Sequence, residues 1–232
     1  MAISDDFDLV IFDCDGVLVD SEPIFNRAHA EILGECGYRV TADSLDERFC
    51  GMADAEMLGI IEREWGRRLP ADYAARFAAV ADAECEKALV AFPGIHSTLD
   101  GLGAPVCVAS SGTPDRIRKS LGIVGLLDRF VPHLFSAVMV AKGKPAPDLF
   151  FYAARNMGVA ASRCVVVEDS IAGVRAAMAA EMPVVGFCGG GHCRPSHGEA
   201  LSRHGAAVVI SDMGDLLPSL GSLGRALSTR AR

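Results

Sequence analysis

Leu9-Val10-Ile11-Phe12-Asp13-Cys14-Asp15-Gly16 is the stretch whose reading settles the architecture. Its first four residues are apolar in succession rather than alternating with polar ones. That pattern predicts a strand covered on both faces, as in parallel sheets. Working outward, similar runs recur at 106–109, 164–167, 184–187 and 207–210, with a weaker one at 134–138. Amphipathic segments at 114–121, 147–157 and 170–180 separate the later runs and predict helices. Strand and helix in alternation predict an α/β fold built on a doubly wound parallel sheet.

The spacing of the runs is uneven. The later ones follow one another within about 20 to 25 residues, the length of an ordinary helical crossover. Between Val19 and Val106 lie about 85 residues, too many for one connection. This interval reads as helix at 22–35, at 54–67 and, Ala-rich, at 71–91. The expectation is an α-helical cap domain, residues 20–92, inserted after the first strand of a core formed by residues 1–19 and 93–232. Phe92-Pro93-Gly94 marks the return to the core. Such an insertion lies above the carboxyl ends of the strands, where open α/β sheets bind ligands, and reads as a lid. From Pro218 onward a surface helix or frayed tail is expected.

Composition narrows the function classes. The 232 residues carry a net charge of −8, which argues against nucleic-acid partners. Half of the residues are apolar, too many for a disordered chain. No apolar run approaches the ~18 residues of a membrane helix, so no membrane partner is expected. Asp5, Asp6 and Asp8 precede the first basic residue, Arg27, and no secretory signal is expected. Of the eight cysteines, several lie within apolar runs, which fits thiols in a reducing cytoplasm. Cys188, His192, Cys193 and His197 are zinc-ligand types, but their spacing matches no usual zinc template and Gly189-Gly190-Gly191 reads as a loop.

The chemistry gathers at strand ends. Strand residues two apart share a side, so Asp13 and Asp15 can face one space, and Gly16 allows a sharp turn. Two ionised acids 4 Å apart repel by ~4 kcal/mol at an effective dielectric of 20, a conflict relieved by a cation or a proton. Glu168-Asp169 closes another buried run, and the carboxyl ends of parallel strands share one edge. Clustered carboxylates with hard oxygen donors suit Mg²⁺. Ser110-Ser111-Gly112 before a helix can seat an anion or simply cap that helix. Lys144, in Gly143-Lys144-Pro145-Ala146-Pro147-Asp148, supplies a cation, with Lys142 as a competitor. Acids, a metal seat, a hydroxyl and a cation together make a device for phosphoryl transfer.

These residues resemble the haloacid dehalogenase-like phosphohydrolase superfamily. Asp13-Cys14-Asp15-Gly16-Val17-Leu18-Val19-Asp20-Ser21-Glu22 looks like its first motif and Ser110 like the second. Lys144 in Gly-Lys-Pro-Ala-Pro-Asp matches the third, and Glu168-Asp169-Ser170 with Ala172-Gly173 the fourth. The resemblance is closest to the subgroup with an α-helical cap, which includes sugar-phosphate phosphatases and β-phosphoglucomutase. It implies Asp13 as nucleophile and Asp15 as general acid and base. It implies Mg²⁺ held by Asp13, the Asp15 carbonyl and Asp169, with Glu168 as ligand or support. Ser110, Lys144 and the backbone of Ser111 and Gly112 would bind phosphoryl oxygens.

Specificity is expected in the cap, at Glu22 within 20–27 and at the loop containing Arg48, Cys50 and Gly51. Arg48 can either meet a sugar-acid carboxylate or lie on a solvated face. In mutase-type relatives an Arg following this Gly grips a second phosphate; here Asp54 stands in that stretch. The resemblance therefore implies a Mg²⁺-dependent phosphatase for a small phosphorylated sugar or sugar acid, 6-phosphogluconate-like compounds being favoured. The alternatives are a hexose phosphomutase of β-phosphoglucomutase type and a receiver-like phospho-Asp signalling domain. A monomer or weak dimer is expected.

Overall fold

The computed structural model describes residues 7–50, 52, 54–191, 193 and 195–230. Leu9–Phe12 forms β1, Val106–Ser110 β2, Leu134–Ser136 β3, Cys164–Glu168 β4, Val184–Phe187 β5 and Val208–Ile210 β6. All pairings are parallel, and the order across the sheet is β3-β2-β1-β4-β5-β6. The fold is therefore the doubly wound α/β architecture that the apolar runs predict. The order reverses at β1, whose neighbours β2 and β4 lead in opposite directions across the sheet. A crevice at such a reversal is where open α/β sheets place their ligands.

Strand alternation divides the core in two. Leu9, Ile11, Cys107, Val166 and Val184 are buried on one face against Leu149, Phe150, Val174 and Leu201. Those partners come from α8 (Asp148–Asn156), α9 (Ile171–Ala179) and α10 (Pro195–Arg203). Val10, Phe12, Val108, Val165 and Val167 face the other way, against Ile95, Leu121, Phe130 and Leu216. Here the cover is α5 (Ile95–Gly101), α6 (Pro114–Ile123), α7 (Leu127–Phe130) and α11 (Leu216–Arg230). Burial on both faces is the reason that the strands read as unbroken apolar runs.

Between β1 and β2 the chain forms α1 (Glu22–Cys36), α2 (Ala42–Phe49), α3 (Asp54–Trp65) and α4 (Tyr73–Ala88). In α1, Ile24, Phe25, Ala28 and Ile32 recur at helical spacing and are buried. Phe25 meets Phe77 of α4 edge-on at 5.9 Å, and His29 stacks on the same ring at 4.0 Å. The two connections to the sheet run side by side. The Asp20 amide donates to the Val90 carbonyl at 3.0 Å, and the Phe92 amide to the Leu18 carbonyl at 3.2 Å.

The structure departs from the sequence pattern in places. α2 occupies 42–49, so Arg48 and Phe49 are helical rather than part of a loop. β3 stops at Ser136 and passes into a 3₁₀ turn at Ala137–Met139. α4 covers 73–88 rather than 71–91. Among the described residues no helix is long and apolar enough to cross a membrane.

Candidate active site

β1 and β4 finish level: Phe12 pairs with Val167, and the Asp13 amide donates to the Val167 carbonyl at 3.0 Å. This register brings Asp13 beside Glu168 and Asp169, three buried acids with an oxygen from each within 4.8 Å of the others. Lys144, carried by the loop before α8, bridges two of them. Its Nζ is 2.9 Å from Asp13 Oδ1 and 2.6 Å from Glu168 Oε1, and the side chain is only 3% exposed. Lys142, its competitor in sequence, is exposed.

Glu168 is fixed from below. Its Oε2 accepts from the Ser170 amide at 2.8 Å and from Ser170 Oγ at 2.9 Å. Ser170 Oγ in turn accepts from the Gly173 amide and caps α9. Two glycines make room for this packing. A Cβ at Gly173 would fall inside the Glu168 carboxylate, and one at Gly16, where φ is +75°, inside that of Asp169.

Three acids against one lysine leave the cluster with excess negative charge. Burial pushes the Asp13 carboxyl up to about 7; Lys144 opposes the rise, while Glu168 and Asp15 add to it. Burial also lifts Asp169, helped by Glu168 and Asp13. Lys144 is desolvated, which favours loss of its proton, yet Asp13 and Glu168 outweigh this and hold it charged. An all-oxygen, electron-rich donor set of this kind fits a hard divalent cation.

Asp15 stands across the turn from these groups. Ser21 Oγ donates to its Oδ1 at 2.9 Å, and the Arg116 guanidinium lies 3.7 Å away. At the end of β2, Ser110 is buried and its Oγ accepts from the Gly112 amide at 3.0 Å. The Gly112 carbonyl accepts from Ser136 Oγ at 2.5 Å, so β3 braces the loop. Asp13, Asp15, Ser110, Ser111, Gly112, Lys144 and Asp169 all line one cavity of about 350 Å³.

The cap expectations divide. Glu22 lines the cavity, and burial pushes its carboxyl up to about 8, with Asp54 and Asp15 adding to the rise. Arg48 does not reach it. Its guanidinium bonds both carboxylate oxygens of Glu64 at 2.7 Å and lies over the Phe49 ring. Helix α2 turns this side chain outward, so of its two expected places Arg48 takes the solvated face and not the substrate. Cys50 does not line the cavity either; its Sγ lies 3.5 Å from His197 Nδ1. Gly51 and His192 lie outside the described residues.

Sequence reasoning passed over Arg116, which lines the cavity together with Asp54, the acid noted in place of the mutase Arg. Arg116 projects from the first turn of α6 and lies 3.9 Å above the Phe25 ring. Its nearest signal is position, three residues after the Thr113 cap of the helix that follows Ser110. Asp54 opens α3, with its Oδ1 3.8 Å from His29 Nε2. Burial raises its carboxyl, but His29 and Arg116 outweigh that and hold it below the ordinary value.

A family model for haloacid dehalogenase-like hydrolases matches residues 7–181. The chain belongs to this family, and it is an enzyme of the hydrolase class. It is 36% identical over 191 residues to the 6-phosphogluconate phosphatase of Escherichia coli, covering 80% of this chain and 85% of that one. Among solved structures, a haloacid dehalogenase-like protein of unknown function from Agrobacterium tumefaciens superposes with a TM-score of 0.85 at 39% identity. That match covers 94% of this chain and 99% of the other. A family hydrolase from Deinococcus radiodurans, solved with bound phosphate and sodium, gives 0.77 at 32% identity over 95% and 98% of the two chains.

Proposed function

We propose that the protein is a Mg²⁺-dependent phosphatase of a small phosphorylated sugar acid, acting through an aspartyl-phosphate on Asp13 in the cytoplasm. The observation that carries this reading is the buried Asp13–Lys144–Glu168–Asp169 cluster, three of whose members line the cavity. Asp13 and Asp169 would hold the cation, with Glu168 supporting it. Bound there, Mg²⁺ supplies positive charge that keeps Asp13 ionised and offsets the charge of the phosphoryl oxygens.

The remaining work falls to the chain. An Asp13 oxygen attacks phosphorus as the ester O–P bond breaks, and Asp15 gives its proton to the departing alkoxide. Asp15 then takes a proton from water as that water attacks the same phosphorus, releasing phosphate and restoring Asp13. Ser110, the Gly112 loop and Lys144 orient the phosphoryl oxygens. Ser21, donating to Asp15 Oδ1, holds the carboxyl in place.

The sugar-acid class is favoured by Arg116, a cation inside the cavity, together with the activity in the printed name of the Escherichia coli relative. Asp54, which lines the same cavity, disfavours a second phosphate and hence a mutase cycle. The test is a phosphate-release screen over sugar phosphates, sugar-acid phosphates and nucleotides with Mg²⁺. The expected result is release from sugar-acid phosphates that stops with EDTA and returns with Mg²⁺. Activity unchanged by EDTA, or isomerised product without phosphate release, would overturn the proposal.

A further inference from the structure

Outside the carboxylate cluster, Cys50, Cys193 and His197 also converge, their ligand atoms all within 4.8 Å of one another. They reach this point from three places. Cys50 terminates α2 in the helical insert, Cys193 follows the turn after β5, and His197 lies in the first turn of α10. The Cys193 amide donates to the Gly190 carbonyl at 2.9 Å, which sets the turn that presents its thiol. Cys188, from the same region, directs its thiol to the Ile210 carbonyl at 3.5 Å and stands outside the trio.

The orientation of the imidazole is decisive. His197 is 5% exposed, and its Nε2 lies 2.6 Å from the Asp169 carbonyl oxygen. A carbonyl only accepts, so Nε2 carries the proton and Nδ1 presents its lone pair toward Cys50 Sγ, 3.5 Å away. Metal-binding histidines are held in this manner, the other ring N–H being donated to a carbonyl or carboxylate. Two sulfurs and one imidazole nitrogen form a soft donor set, unlike the all-oxygen cluster around Asp13. Such a set favours Zn²⁺ over Mg²⁺, and three protein ligands leave a fourth tetrahedral position for solvent.

We infer that Cys50, Cys193 and His197 form a second cation site, for Zn²⁺, that clasps the helical insert to the core. Binding displaces the two thiol protons to solvent and forms two Zn–S bonds and one Zn–N bond. No redox partner is required. The sequence spacing conceals the site because one ligand comes from the insert, more than 140 positions before the other two. The inference stands apart from the phosphatase reading, since it needs neither turnover nor Mg²⁺.

Co²⁺ provides the test, because tetrahedral thiolate sites give it an intense charge-transfer absorption that oxygen sites do not. Metal-free, fully reduced protein is titrated with Co²⁺ in the presence of saturating Mg²⁺, then with Zn²⁺. One equivalent should develop the charge-transfer band, and Zn²⁺ should abolish it. Cys50→Ser and Cys193→Ser should each weaken binding by ~100-fold or more, beyond the ~10–100-fold typical of losing an outer partner. Cys36→Ser, remote from the trio, should titrate as the wild type, and circular dichroism of each variant checks folding. The inference is overturned if folded wild-type protein shows no band, or if the band survives intact in Cys50→Ser.

Discussion

At Gly16 two demands meet in one residue. The turn after Asp15 needs a positive φ, and the Asp169 carboxylate occupies the space in which a side chain would begin. Gly16→Ala is therefore expected to lower stability by at least ~1–2 kcal/mol for the left-handed backbone alone. It should also displace Asp169 and reduce activity further than the loss of stability explains. Denaturant unfolding measured beside phosphate release checks both. Glu22 makes a different prediction. Its folded-state value of about 8 lies above the ordinary 4.5, so the native state keeps a proton that the unfolded chain gives up. The stabilisation is present below 4.5 and is lost as pH rises through about 8. Asp54, Asp15, Cys50 and Arg116 act on it, and so does Asp169. In metal-free protein, Glu22→Gln should gain on the order of 1–3 kcal/mol relative to wild type between pH 5 and 9, allowing for this group's partial solvent contact. Parallel stability curves would contradict the assignment.

Elements were legible where burial was simple. β1, β4 and β5 are covered on both faces, so each reads as an apolar run, and the acids at the ends of β1 and β4 follow from the shared carboxyl edge. The Ala-rich α4 and the amphipathic α1 were equally plain. α2 was not, because its eight residues bury only Leu45 and Phe49, too little to write a helical period. Without that helix the sequence left Arg48 open between the substrate and a solvated face; the turn of α2 gives its guanidinium to Glu64. Arg116 was missed for the opposite reason: a single Arg in a first turn carries no signal until the fold brings it under α1. Comparing the two arginines tests the difference. Arg116→Ala should raise KM for a sugar-acid phosphate by ~10–100-fold, the usual worth of a hydrogen bond to a charged group. Arg48→Ala should change it by less than about 3-fold, an exposed ion pair contributing little. Equal effects of the two substitutions in steady-state kinetics would reverse this placement.

For the molecule as a whole, the reversal of strand order at β1 positions the chemistry, and the insert between β1 and β2 supplies the wall opposite. Phe25 and Glu22 of α1 and Asp54 of α3 complete a cavity that the sheet alone would leave open. Excluding water strengthens each charge interaction inside it, which suits a reaction that moves a highly charged group. The ordering of motifs along the chain disclosed this plan, since strand ends and an overlong connection are local features. The meeting of Cys50 with Cys193 and His197 was not disclosed, because contact across the insert and core leaves no mark in spacing.

The central claim is that Asp13 attacks phosphorus. Acid-quenched, Mg²⁺-loaded enzyme caught during turnover, digested and weighed by mass spectrometry, tests it directly. The account predicts a phosphoryl adduct on the peptide containing Asp13, absent from a folded Asp13→Asn variant whose phosphate release has fallen by ~10⁴-fold or more. An adduct on another residue, or wild-type turnover by Asp13→Asn, would contradict it.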